Sequence, residues 1–566
     1  MIKKYIGIVL AITVLFLPSS CNKVLDQTNI TAINPDQVWN DPALMSAYVN
    51  GFHNALMPGM PTGSGNATDE AVDINNSVFL NGTATVDSYN YWPYSTIRTI
   101  NILLESIDKG MLTVVQKEPL KGQAYFWRAW AYFSMVKAYG GVPLVLDVQD
   151  PSADVAQLQV KRNKTSECIA QIARDLDSAA ALLPPSWGDA DYGRVDKCAA
   201  MAFKAKVLLF YASPQFNPTH IDSRWQDAYN AAKAAKEFCE SRGKGLMDKF
   251  SDIWDTKKNK EVIMVRPYKN PDATYFSGGL RPIKYSNGAA QQDDPAIELV
   301  DAFPMSDGSK WDTATMSHDT LYRHRDERFY ATIGYNGAAP YLADMSALNE
   351  NLWTYIKPDG TRMDGGCCNT LSSFYRVKMM DRAITQAQVS LTSTDWPEIR
   401  FAEVLMDYGE AANETGNTGE ALQVLYAIRQ RAGITPGSGG EYGITAVTQA
   451  DIRKAYMDEE YVEFAFENKR WDNLRRLRML DTRFNTLKRR HGLQVYLKAG
   501  FTGPAGLDNI DNFTTEFNTV QVATDVVDFN VRPEYYFYAI PKSILDADPN
   551  LAQTNGWPGG TFDPLQ

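Results

Sequence analysis

Side chains that commonly carry chemistry are thinly spread along this 566-residue chain. Of its five histidines, His53, His220, His318, His324 and His491, only His318 and His324 are close. Their spacing of six sets them on different sides of a helix, which argues against a metal pair. Adjacent Cys367 and Cys368 have no further Cys or His nearby in sequence to complete a tetrahedral zinc site. The chain contains no phosphate loop of the GxxxxGKS type, no GxSxG elbow and no HExxH helix. No cofactor or metal is therefore expected. Carboxylates are plentiful, and a glycosidase needs only two at the right separation, so a glycoside hydrolase stays open as a minor reading.

The elements that would position any such groups are mostly helices. Helical spacing of apolar residues predicts helices over Pro35 to Met57, Pro93 to Lys109 and Glu118 to Tyr139, the last stopped by Gly140-Gly141-Val142-Pro143. Thr165 to Leu183, Val195 to Ala212 and Trp225 to Ser241 continue the pattern, and Pro397 to Glu414 with Gly419 to Ala432 makes a later pair. Paired helices of this length, with small residues at facing positions, suit a tetratricopeptide-like stack in which each unit buries a face on the next. Two blocks break the pattern, about 58–92 and 250–394, and carry turn pairs such as Asn81-Gly82, Asp307-Gly308 and Asp359-Gly360. Long insertions rich in aromatics are expected to be functional rather than disordered.

Bulk charge narrows the partners. Lys+Arg total 56 against Asp+Glu 67, a net of -11, the wrong balance for a chain that tracks phosphates, so nucleic acid is not an expected partner. The first 20 residues read as an export signal: Lys3 and Lys4, an apolar run from Tyr5 to Leu17, then Pro18-Ser19-Ser20 before Cys21. As a helix that run spans about 20 Å, short of the roughly 30 Å hydrocarbon core. Small residues before Cys21 resemble a lipobox, so Cys21 is expected to become the lipidated first residue, with 21–34 as a polar linker and 35–566 as one folded domain with helical repeats at about 35–57, 93–243 and 395–480.

An ordered set of motifs then resembles one family, the SusD/RagB outer-membrane lipoproteins of Bacteroidetes. The set runs from Pro295 to Phe303 (PAIELVDAF) through Arg325 to Phe329 (RDERF), Tyr335-Asn336-Gly337, Ile399 to Glu403 (IRFAE) and Ile428 to Gly433 (IRQRAG). Its most telling piece is Glu467 to Arg476 (ENKRWDNLRR), after Glu459-Glu460, and Tyr538 to Pro541 (YAIP) with Asn555-Gly556-Trp557 closes it. The resemblance implies a mainly α, SusD-like fold and a non-catalytic, cell-surface protein that captures glycan and passes it to a SusC-like TonB-dependent transporter. A RagB-like peptide-capture subunit is the alternative.

Within that expectation, the motif over 450 to 480 is read as one helix whose stripe Ile452, Tyr456, Glu459, Val462 and Phe466 is buried, with Glu460, Glu467, Arg470 and Arg475 forming fold-holding pairs among themselves or with Arg400 and Glu403. Ligand contacts are expected on the loops instead, because sugar rings stack their C–H faces on aromatic rings and their hydroxyls need polar partners. The candidate platforms are Phe79, Trp92, Tyr275, Tyr285, Trp311 and Trp353, with Asp73, Asn81 and Arg281 as polar partners. The stretch from Pro58 to Ile97 has no Lys or Arg but carries Asp69, Glu70, Asp73 and Asp87. Read as an acidic rim, it would repel polyanions and favour a neutral glycan.

Overall fold

The computed structural model describes residues 38–72, 77–289, 292–311, 321–365, 371–502 and 516–566. The predicted signal, Cys21, Asp73 and the Cys367-Cys368 pair lie outside the described residues. Helix α1 (Pro42–Leu56) starts where the Asp41 carboxylate accepts hydrogen bonds from the Ala43 and Leu44 amides, at 2.7 and 3.1 Å. It is followed by α2 (Tyr94–Ser106) and α3 (Val114–Tyr139). A Thr113/Gln116 capping box opens α3, and Gly140, at φ +78°, closes it where any Cβ would lie 2.5 Å from Pro564.

The stack continues through α4 (Thr165–Leu182), α5 (Lys197–Ala212) and α6 (Asp222–Ser241). After the second irregular block come α7 (Phe401–Glu414), α8 (Thr418–Arg431) and α9 (Gln449–Glu463). Each helix from α3 to α8 packs on the next, and α7 also seats on α5 and α9, so the stack closes across the block as though the inserted residues were absent. The mainly α, helical-repeat architecture expected from sequence is thus the one observed. Among the described residues, no helix is long and apolar enough to cross a membrane.

The second block is stapled at its root. Strand β1 (Val262–Arg266) pairs antiparallel with β2 (Trp396–Arg400), with Val262 opposite Arg400 and Arg266 opposite Trp396. The sequence reading carried α7 back to Pro397, but pairing with β1 draws Trp396 to Arg400 into a strand. The block also builds its own core, around Phe250, Trp254, Phe303, Phe329, Phe374 and Phe466, apart from the core of the helical stack. A smaller cluster gathers Tyr285, Leu342, Met345 and Tyr375.

The single helix expected over 450 to 480 is broken. After α9 the backbone turns, with Phe466 at φ +62° and Asn468 at +58°, before α10 (Arg470–Arg476) and α11 (Leu480–Leu487). The break is held from outside: Lys378 Nζ donates to the carbonyls of Glu463 and Ala465 at 3.0 and 2.9 Å, supplying partners to groups that the helix has given up. Two further strands, β3 (His491–Leu497) and β4 (Phe517–Ala523), form an antiparallel ribbon.

Candidate functional site

Buried charge fixes the frame on which the loops sit. Arg400 reaches Glu261 and Glu463 with Nη1, each at 2.7 Å, and Glu467 with Nε and Nη2 at 2.8 and 2.9 Å. Arg328 adds Asp326, Glu459 and Glu463 to the same buried array. Burial alone would raise Glu463, but Arg431, Arg400 and Arg328 around it hold its carboxyl well below the usual range. The motif therefore holds the fold through ion pairs, as the residue types suggested, although several partners differ. Arg476 forks onto Glu410 at 2.6 and 2.7 Å, Arg475 donates to the carbonyls of Lys137 and Tyr536, and Arg470 pairs with Asp69.

That last pair overturns the acidic rim. Asp69 and Glu70 lie inside, where Asp69 meets Arg470 and Arg483, and Glu70 accepts hydrogen bonds from the Phe466 amide and the Thr68 hydroxyl. A stretch without Lys or Arg is acidic here because its cations come from elsewhere in the chain. Asp87 accepts from the Lys542 amide at the surface. The charge argument for a neutral glycan therefore falls.

The two irregular blocks meet at Asp293, which accepts from the Gly63 and Gly65 amides at 2.8 and 2.7 Å and from Arg376 at 2.7 Å. Beside this junction stands an aromatic ledge. Tyr268 and Tyr275 lie 4.7 Å apart between ring centroids, and the Met60 amide donates to Tyr268 Oη at 3.3 Å. Phe276 follows, 51% exposed. The Tyr275 and Ser277 amides donate to the carbonyls of Thr392 and Val389, which fixes the ledge on the far end of its own block.

The eight expected ligand residues that are described do not converge on one surface. Tyr275 is half-buried on the ledge, and Trp353 is half-buried over Gly337, where a Cβ would come within 3.4 Å of its ring. Phe79 and Trp92 back onto the helical stack: Phe79 lies 4.8 Å from Tyr538 and 6.1 Å from Trp471, and Trp92 5.6 Å from Tyr139. Asn81 is half-buried in the first block. The other three turn inward rather than to the rim expected of them. Tyr285, 4% exposed, packs in the small cluster and donates to Glu350. Trp311, 6% exposed, lies in the second core under Arg325. Arg281, fully buried, pairs with Asp344 and donates to the Ile384 carbonyl. A loop's length and turn residues mark it as irregular, but these loops carry a core that claims their largest side chains. Phe276 and Tyr268 are further aromatics of the second block, and Phe276 stands beside the Gly278-Gly279 pair, its ring against Gly278.

Comparisons with known proteins agree with this architecture. Residues 249–557 match the model of the SusD family, and residues 22–209 match a model described as starch-binding, associating with outer membrane. A SusD-like protein P2 of Formosa agariphila is 23% identical over 461 residues, covering 78% of both chains. A SusD-like protein of Bacteroides ovatus is also 23% identical, over 73% of this chain and 70% of its own. A crystal structure of a SusD-like protein from Bacteroides fragilis superposes with a TM-score of 0.73 at 25% identity, covering 93% of this chain and 99% of that one. A laminarin-binding SusD-like protein superposes with a TM-score of 0.57 at 18% identity, over 92% of this chain and 100% of its own. With one family model spanning more than half of its length and the relatives sharing its whole architecture, the chain belongs to the SusD family of carbohydrate-binding proteins.

Proposed function

We propose that this protein is a surface lipoprotein that captures poly- or oligosaccharide on the Tyr268, Tyr275 and Phe276 ledge and hands it, unaltered, to a SusC-like TonB-dependent transporter. The observation that carries the ledge is Phe276: a large ring left half in water over Gly278, next in sequence to the Tyr275 that packs on Tyr268, on a backbone tied down by the hydrogen bonds of Tyr275 and Ser277 to Thr392 and Val389. A rigid, exposed aromatic shelf fits the flat C–H face of a sugar at little ordering cost. Trp353 is another ring of the same block that remains half-open, and Tyr330 of that block is 40% exposed. Membership in a family whose model is described as associating with outer membrane supports the location, and the Lys3 to Cys21 segment supports anchoring through acyl chains on Cys21.

Calorimetry of the full chain against neutral glycans, polyanionic glycans and peptide mixtures tests the reading. Binding of at least one glycan that weakens on Phe276→Ala is the expected result. Binding of peptides alone discards the substrate class in favour of a RagB-like peptide subunit, and new reducing ends on incubation would make the protein a hydrolase. Cys21→Ala should release the protein from the membrane fraction; retention there removes the lipid anchor from the proposal.

A further inference from the structure

A cleft of about 450 Å³, built from elements other than the ledge, lies between the helical stack and the Glu467 to Arg476 motif. Tyr89, Tyr91, Trp130 and Trp471 furnish aromatic wall, and charged groups of α5, α7 and the motif line the rest. Nearly all of those charges are already matched. Lys206 Nζ donates to Glu403 Oε1 at 2.7 Å, and Lys469 Nζ lies 3.2 Å from Glu403 Oε2 and donates to the Glu398 carbonyl at 2.6 Å. Lys137 pairs with Asp472, and Arg476 with Glu410 and Glu460.

Asp407 is left over. It stands one helical turn after Glu403 on α7, lines the cleft, is 8% exposed, and makes no hydrogen bond or ion pair among the described residues. A carboxyl that faces a cleft without a protein partner usually has a reason. The groups facing it are Lys206 from α5, Glu403 from its own helix, Glu460 from α9 and Arg476 from α10. Burial, then Glu403, push its carboxyl above the ordinary range against the pull of Lys206 and Arg476. A cation entering the cleft would meet Lys206 and Arg476, and an anion would meet Glu403 and Glu460. An uncharged polyol meets neither penalty, and its ring faces suit the tyrosine and tryptophan walls.

We infer that this cleft is a second ligand site, for a neutral mono- or disaccharide held between the aromatic walls and the Asp407 carboxyl. The inference rests on the reading that the protein takes glycans, but on none of the ledge residues. The volume lies within the range of enclosed small-ligand sites.

The test is calorimetry of the full chain with maltose, cellobiose, laminaribiose and mannobiose, on wild type, Phe276→Ala, Asp407→Leu and Asp407→Asn, each checked by thermal melting. At least one disaccharide should bind Phe276→Ala as it binds wild type and lose roughly tenfold or more in affinity on Asp407→Leu. Asp407→Asn, which keeps a hydrogen-bonding side chain of the same shape in place, should stay within about threefold. Loss in Phe276→Ala with Asp407→Leu unaffected overturns the cleft and leaves the ledge standing; the expected pattern supports the cleft and leaves the ledge to the polysaccharide titration of Phe276→Ala. No disaccharide binding to wild type also overturns it.

Discussion

Asp69, in the first irregular block, accepts two hydrogen bonds of 2.8 Å from the guanidinium of Arg470, 401 residues further along the chain. Arg483 adds a third at 2.7 Å. Burial by itself would raise the Asp69 carboxyl, but the two arginines more than offset it and hold it well below the carboxylate range. This pair ties the first loop to the C-terminal motif and makes the loop part of the fold.

Arg470→Ala should therefore cost about 3 to 5 kcal/mol in chemical denaturation, because it leaves Asp69 buried with only the half-exposed Arg483. Unchanged stability with selective loss of glycan binding would move Arg470 from the frame to the site.

Arg400→Lys should also destabilise, despite keeping the charge. One ammonium cannot reach Glu261, Glu463 and Glu467 together as the planar fork does. A loss of at least about 3 kcal/mol is expected, read from the urea midpoint at constant slope. A shift under about 1 kcal/mol contradicts the reading of a geometry-dependent array.

Gly409 sets the closeness of α7 and α9. A Cβ there would lie 1.8 Å from Tyr456 Oη, which donates to the Ala421 carbonyl at 2.7 Å. Gly409→Ala should cost about 1 to 3 kcal/mol by overpacking. Adding Tyr456→Phe, which removes the clashing oxygen, should return part of that loss. A strictly additive double variant shows that the contact is not the cause.

Two groups give opposite slopes of stability with pH. Burial, with Asp69 beside it, pushes Glu70 up to about 7, so the folded state holds a proton that the unfolded chain has released. Stability is then lost as pH rises from the ordinary carboxyl range through 7. Glu70→Gln should gain stability over wild type at pH 8 and not at pH 4. His53 runs the other way: burial, then Arg266 and Arg194, lower it to about 4. The unfolded chain takes up a proton near pH 6.5 that the folded one refuses, so stability falls from pH 6.5 towards 4. His53→Gln should flatten that limb in melts between pH 4 and 7, and an unchanged slope removes His53 as its source.

Helix positions were legible in sequence because periodicity and caps are local: the starts and stops of α2, α4 and α6 fall within a few residues of where apolar spacing and Gly or Pro place them. The ordered motifs that mark the family are likewise a property of the chain alone. Partners and exposure are not. Whether Tyr285 or Phe276 faces water depends on Leu342 and Met345, some 60 residues away, closing over one and nothing closing over the other. Asp69 read as an acidic rim until Arg470 and Arg483 reached it, and the helix over 450 to 480 read as continuous until Lys378 caught the carbonyls at its break. Burial and charge pairing are set by what arrives from distant segments, so only the tertiary structure could decide which rings remain to touch a ligand.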